Sequence, residues 1–505
     1  MYFLDRRQYK RPKSLLKTHE IIPGIETLPS KTLKIESIDV DAAINNVKQL
    51  LDEDPNLSPA LKSAMEVLIL LVSALLNRTT LNSKNSSQPP SSDPNRLKPS
   101  RQKSEKSSGA QKGHVGTTLL KVDDPDEVEV IRIDRRTLPK GHYTEVEPET
   151  RQVFELLFAR QVTEYQAQVL EDTQGNRFVA TFPEGVTQAV QYGKQLKAHA
   201  VYLSQYQLLP YKRVQEYFTD QLQIPVSEGS IYNFNVQAYT QLADFEKISQ
   251  QQLAQAAVNH ADETGINIKG ERHWLHCTSN LEWTHYFPHE KRGVEAMNEA
   301  GILPQFKGLL CHDHWRPYFR YDVTHSLCNA HHLRELKRAW EQDHQQWAKK
   351  MERLLLEINN AVDEAGGSLS PADADKWRKR YRRLLQRAEE ECPPPKRPPG
   401  KPKRGRIKRS KARNLLERLR DYEADVLRFM DNPLVPFTNN QGERDLRMTK
   451  VQQKISGCFR SHQGALMFCR IRGYLSTCRK QGVSSAKAMT LLFDKKLPDF
   501  AQQII

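Results

Sequence analysis

Three acidic residues stand where carboxylates could do chemistry. Ala257-Val-Asn-His-Ala-Asp262-Glu-Thr-Gly-Ile-Asn-Ile268 reads as a strand with Asp262 near its middle. Gly308-Leu-Leu-Cys-His-Asp313 reads as a short buried strand that ends in an acid. In Phe437-Thr-Asn-Asn-Gln-Gly-Glu443-Arg-Asp-Leu-Arg447, Thr438 or Asn439 is suited to cap a helix that carries Glu443 in its first turn, where the helix dipole favours an acid. Asp445 is the rival, but two residues along a helix turn it about 200° away, so only one of the two acids can face a shared site. Glu443 is the expected one. Carboxylates brought close together raise each other's pKa unless a cation neutralises them. Magnesium suits such a cluster: it is hard, prefers oxygen and is held by one or two carboxylates plus phosphate and water. Two such ions ~3.5–4 Å apart serve phosphodiester displacement, activating the attacking oxygen and stabilising the leaving one. The expected metal ligands and catalytic acids are therefore Asp262, Asp313 and Glu443, with two magnesium ions and manganese able to substitute.

These acids need a scaffold. After the first strand, Arg272-His-Trp-Leu-His-Cys-Thr278 and Glu282-Trp-Thr-His-Tyr-Phe287 read as two more strands split by Ser279-Asn-Leu, followed by a helical stretch over residues 293–300. Three meandering strands, a helix and a fourth strand form the opening of a ribonuclease-H-like fold. In that topology the middle of the first strand lies beside the end of the fourth, which sets Asp262 against Asp313. The fold class expected is α+β and multidomain: a ribonuclease-H-like α/β core with a mainly helical insertion, preceded by a small β module and a helical helix-turn-helix-like domain.

The chain has 505 residues, too many for one ordinary core. Its net charge of +15 favours a polyanionic partner. Seven cysteines, all at or after Cys277 and without regular spacing, form no disulfide framework and point to a reducing cytoplasm. The N-terminus does not read as a signal peptide, and the apolar run Val67–Leu76 is shorter than the ~20 residues a membrane helix needs. Residues 1–80 contain a strongly apolar helix over Pro59–Asn77, to be buried by pairing between two chains or by a core of its own chain. Residues 81–125 form a basic linker rich in Ser and Pro, and residues 126–185 alternate as a small antiparallel β module, as in Val128–Ile133 and Arg177–Phe182. Residues 186–255 are helical. There, Tyr211–Gln223, a stop at Pro225 and a helix capped by Ser227 outline a helix-turn-helix, with Lys212 and Arg213 as candidate DNA contacts.

Several segments together resemble the transposases of the insertion-sequence sixty-six family. They are Asn85-Ser-Ser-Gln-Pro-Pro-Ser-Ser-Asp93, Gly109-Ala-Gln-Lys-Gly-His114, Ala261-Asp-Glu-Thr-Gly265, His312-Asp-His-Trp-Arg-Pro-Tyr318, Asn439-Asn-Gln-Gly-Glu-Arg444, Lys454–Ser461 and Ile471–Lys480. The resemblance implies a DDE transposase with Asp262, Asp313 and Glu443 as its metal-binding acids. Such an enzyme binds the terminal inverted repeats of its element, cuts the ends and joins the freed 3′-hydroxyls to target DNA. It acts as a homodimer or higher oligomer on DNA, with small accessory proteins as further partners. Relatives often carry a cysteine-rich zinc module before the helical domain. No cysteine precedes Cys277 here, so residues 126–185 are expected to bind no zinc through thiolates.

The catalytic core then comprises residues 256–331 and 431–505, and residues 332–430 form the helical insertion. Cys328-Asn-Ala-His331 opens the interval between the second and third acids; one Cys and one His cannot complete a tetrahedral zinc site, so a structural role beside the acids is expected. The acid-free tract Pro393–Arg413 is an extended basic strap, and Lys401, Lys403, Arg404, Arg406, Lys408 and Arg409 are candidate phosphate contacts. Arg316, Arg444 and Arg447, beside the acids in sequence, could hold the scissile phosphate or orient the carboxylates. Two alternative functions share these features: a DNA-binding regulator derived from an inactive transposase, and a structure-selective nuclease of the ribonuclease-H-like class.

Overall fold

A computed structural model describes residues 34–35, 38–53, 57–80, 119, 121–156, 159–395, 407 and 409–504. The chain divides into two compact units, Met1–Leu81 and Asn82–Ile505. In the first, β1 (Lys34–Ile35) and β2 (Ile38–Asp39) pair antiparallel and lead into α1 (Val40–Glu53) and α2 (Pro59–Thr80). Along α2, Leu61, Val67, Leu68, Leu70, Leu71 and Leu75 are each more than half exposed. No helix among the described residues is long and apolar enough to cross a membrane. Most of the expected linker, and residues 396–406 and 408 of the strap with Lys401, Lys403, Arg404, Arg406 and Lys408 among them, lie outside the described residues.

The second unit begins with largely irregular chain. Of the strands expected over residues 126–185, β3 (Val169–Glu171) and β4 (Arg177–Val179) form a short hairpin, its turn held by Asp172 Oδ1 accepting from the backbone of Gln174 and Asn176. Val128–Ile133 alternates as a strand should but joins no ladder, because Val128, Val130, Ile131 and Ile133 are all at least 71% exposed and have no surface to pack on.

Four helices follow: α3 (Lys194–Val201), α4 (Tyr211–Leu222), α5 (Glu228–Gln241) and α6 (Ala243–Ala254). The α4–α5 turn follows the expected outline. Gln223 terminates α4 in the left-handed region, and Ser227 caps α5 by accepting from Ser230 N. This helical layer is not independent: Val214, Phe218, Ile231 and Phe234 share one core with Trp283, Ile471, Tyr474 and Met489.

The central sheet contains β5 (Val258–Ile268), β6 (Glu271–Ser279) and β7 (Thr284–His289), then α7 (Val294–Glu299), β8 (Leu309–His312) and β9 (Thr324–Leu327). Its order is β7-β6-β5-β8-β9, with the first three strands antiparallel and β8 and β9 joined parallel. Lys269 and Gly270, with φ of 52° and 86°, make the two-residue turn between β5 and β6. A side chain at Gly308 would lie 2.6 Å from the carbonyl oxygens of Ala256 and Ala257, so glycine permits the close entry of β8 beside β5.

The insertion consists of α8 (Asn329–Glu341), α9 (Gln346–Glu364), α10 (Pro371–Glu391), α11 (Lys411–Asp421) and α12 (Glu423–Leu427). Its apolar faces bury Trp347, Met351, Leu355, Tyr381 and Leu416 in a core that reaches Leu309 and Leu327 of the sheet. The chain returns through α13 (Asn440–Ser456), α14 (His462–Lys480), α15 (Ser485–Phe493) and α16 (Asp499–Gln502).

Candidate active site

Register brings the first two acids together. β5 and β8 run parallel with His260 opposite Cys311, and two residues further along each strand come Asp262 and Asp313. Asp262 Oδ1 accepts from Glu263 N, and Asp313 Oδ1 accepts from Trp315 N at 2.9 Å. Burial, then the charges of Glu263 and Asp313 and more weakly Glu443, hold the Asp262 carboxyl well above the usual carboxylate range. Asp313 is pushed up to about 6, first by burial and then by Glu263, against the opposing pull of Trp315 N–H, Arg292 and Arg418.

The cations around this pair are engaged elsewhere. Arg292 pairs with Glu263, whose side chain is only 2% exposed, and its guanidinium lies 4.7 Å from the Trp274 ring and 4.3 Å from that of Trp315. Tyr318 Oη donates to the other Glu263 oxygen at 2.6 Å. Arg418 pairs with Glu335. Among the described residues neither Asp262 nor Asp313 makes a salt bridge. Two neighbouring, partly desolvated carboxylates without a countercharge fit a hard divalent cation.

The third acid arrives on α13, whose first turn is fastened to β5 by a residue that sequence reasoning assigned a different task. Asn439 stands at the N-cap position, yet its side chain makes no cap hydrogen bond. Instead its Oδ1 lies 2.7 Å from His260 Nδ1, its Nδ2 donates to Ala261 O at 2.8 Å, and its backbone N–H meets Cys328 Sγ at 3.1 Å. The cap is given up for a bond between helix and strand. A Cβ at Gly442 would sit 3.3 Å from Asp262 Cβ, so the helix passes against the first acid at its glycine. Glu443 follows directly. Its Oε1 accepts from Arg334 at 3.2 Å and lies 3.8 Å from His331 Nδ1.

Asp445 faces elsewhere, in a buried ion pair with Lys480 at 2.8 Å. Lys480 also donates to Asn280 O, Trp283 O and Thr284 Oγ1, and Tyr286 Oη donates to Asp445 O. These bonds tie α13, α14 and the β6–β7 turn together and leave Glu443 as the acid of α13 beside Asp262.

Cys328 and His331 lie next to Glu443: one ligand atom from each of the three falls within 4.8 Å of the others. Burial lowers His331 to about 4, so the imidazole is neutral, and its Nδ1 is buried without a hydrogen-bond partner. Of the cationic candidates, Lys212, Arg213, Arg316, Arg444 and Arg447 are exposed. Arg409 is not part of a free strap: just before α11 it pairs with Glu417 in the middle of that helix, which Ser410 caps. Helix α5, second in the helix-turn-helix outline, carries Glu228 as its sole charged residue, so it offers no cation to a phosphate.

The model of the Transposase IS66 family matches residues 189–467, more than half of the chain and all three acids. The chain belongs to that family. This IS66-family transposase carries one acid within β5, one just past the end of the parallel β8 and one on α13, which is fastened to β5. Residues 28–119 match a family of unknown function. Over 70 residues the chain is 34% identical to the uncharacterized protein y4jO of Sinorhizobium fredii, a stretch that makes up 14% of this chain and 22% of that relative.

Glu263, Arg292, Tyr318, Arg334 and Asn439 were not singled out as site residues from sequence. Glu263, Tyr318 and Asn439 lie inside the motifs Ala261–Gly265, His312–Tyr318 and Asn439–Arg444. Arg292 stands in a turn with no local pattern to mark it, and Arg334, with Lys337 and Arg338, reads from sequence only as part of a charged helix face.

Proposed function

We propose that this IS66-family transposase binds the terminal inverted repeats of its element, cleaves the ends and joins the 3′-hydroxyls to target DNA at a ribonuclease-H-like site. The observation that carries the proposal is the juxtaposition of Asp262, near the middle of β5, with Asp313, just past the end of the parallel β8, without a salt bridge and with their carboxyls pushed up. The sheet order, with the first strand central and the fourth beside it, supports the ribonuclease-H-like reading.

Asp262, Asp313 and Glu443 would hold a pair of magnesium ions, whose chemistry when bound is charge neutralisation and assistance to in-line displacement at phosphorus. The protein's part is positioning. Asn439 and Gly442 set the distance between α13 and β5, Arg334 fixes the Glu443 carboxylate, and the Asp445–Lys480 pair prevents α13 from rolling. Arg444 and Arg447, exposed beside Glu443, present charge to non-bridging phosphate oxygens. Arg292, 4.7 Å from the Trp274 ring and 4.3 Å from that of Trp315, takes Glu263 as its partner and so leaves Asp262 and Asp313 for the cations. Cutting and joining are both displacements at phosphorus, so one site serves both and no covalent protein–DNA link is required.

The test is strand transfer with purified protein, magnesium and duplexes that end in the element's pre-cut 3′-hydroxyl. Joined products support the proposal. Hydrolysis without joining would indicate a structure-selective nuclease, and DNA binding with intact strands a regulator.

A further inference from the structure

Helices α9 and α10 lie antiparallel: Glu391, near the end of α10, accepts from the backbone N–H groups of Gln346 and Trp347 that begin α9, and Arg380 pairs with Glu357 further along. Between them runs a groove of about 560 Å³, remote in sequence from the three acids. Lys349, Lys350 and Arg353 line one wall and Arg380, Arg383 and Arg387 the other, all of them exposed. The groove's two acids are already committed, Glu357 to Arg380 and Glu391 to the start of α9. Lys350, Arg353, Arg383 and Arg387 form no salt bridge among the described residues.

Other faces of α10 are different. Arg378 pairs with Asp431, Arg382 with Glu423 and Lys376 with Asp373. Apart from Lys379, the cations of α10 that form no salt bridge among the described residues therefore line the groove, where like charges three and four residues apart on one helix repel. Such a surface is stabilised by a polyanion. Its length suits one: Arg380 to Arg387 spans about 10.5 Å of helix axis at about 1.5 Å per residue, close to the span of four successive phosphates of one DNA strand, three steps of about 3.4 Å.

We propose that the α9–α10 groove is a second, sequence-independent binding site for the phosphate backbone of duplex DNA, apart from the cleavage centre. It deepens the transposase reading and rests on it: a site on the insertion would hold DNA flanking the reacting phosphate and let one strand end stay bound between cutting and joining.

The test compares full-length protein with the triple variant Arg353→Gln, Arg383→Gln, Arg387→Gln. Affinity for a duplex of unrelated sequence is measured across salt concentrations in EDTA. Loss of three phosphate contacts should make the slope of log K against log salt shallower by about 2.7, at about 0.9 per contact, with the melting temperature unchanged. A control variant, Lys247→Gln, Lys291→Gln, Lys376→Gln, removes the same charge from ion-paired surface sites and should leave the slope in place. Equal slopes for the two variants would overturn the proposal, as would a groove variant that changes binding to polyglutamate but not to DNA. Strand cleavage by the unaltered protein is followed in parallel. Cleaved ends with an unmoved groove slope defeat this inference alone, whereas absence of any duplex binding defeats the transposase reading with it.

Discussion

Replacing Asp313 by Asn should make the metal-free protein more stable at alkaline pH. The carboxyl sits at about 6 in the folded protein against an ordinary value of 3.8. Its folded value is raised, so the stability it contributes is present below about 4 and lost as pH rises through about 6. At pH 8 the folded protein carries the full cost of this ionised, desolvated group, at most about 3 kcal/mol at about 1.36 kcal/mol per unit. Partial solvent access reduces that to about 2–3 kcal/mol. Asn keeps an oxygen to accept the Trp315 N–H and removes the charge. For a folded unit of roughly 300 residues this gain corresponds to a rise in melting temperature of about 3–5 °C. Melting curves in EDTA should show the full rise at pH 8 and about a third of it at pH 4.5. Adding magnesium at pH 8 should then stabilise the unaltered protein and leave the variant where it was. A variant that melts at or below the unaltered protein in EDTA at pH 8 would refute the view that Asp313 is held as an uncompensated acid.

The two acids of α13 should behave in opposite ways. Asp445→Asn leaves the buried Lys480 amine without its countercharge and should destabilise the protein by about 3–5 kcal/mol, readable by denaturant unfolding. Glu443→Gln removes a half-exposed pair with Arg334, worth at most about 1 kcal/mol, yet should abolish strand cleavage. Gly442→Ala places a methyl group 3.3 Å from Asp262 Cβ and 3.2 Å from the Asn439 amide. It should shift α13 by a few tenths of an ångström and lower the cleavage rate by roughly tenfold or more, because reacting groups tolerate little displacement. Melting and single-turnover cleavage measured on the same preparation separate this from unfolding.

Local pattern carried the sheet well. Alternation and turn chemistry mark β5, β6, β7 and β8 to within a few residues, and β8 runs parallel to β5 because β7, which points the same way as β5 across β6, reaches β8 through the α7 crossover. Helical periodicity likewise marked the insertion, whose amphipathic helices bury one face each. What sequence could not show was mostly tertiary. The capping preference of Asn439 was real but was overruled by His260 and Ala261, more than 170 residues away in the chain. Val128–Ile133 has the period of a strand, yet period alone makes no ladder without a partner to cover its apolar side. The shared core of α3–α6 with α14 and α15 was hidden for the same reason, since each helix face is compatible with many partners until the fold chooses one.

The central claim is that Asp262, Asp313 and Glu443 act as one cluster in phosphodiester chemistry. Its most direct test is cleavage of the element's own ends by Asp262→Asn in magnesium, with DNA affinity measured on the same sample. Binding within twofold of the unaltered protein and no detectable cut strand is the predicted result; cleavage at an undiminished rate would contradict it.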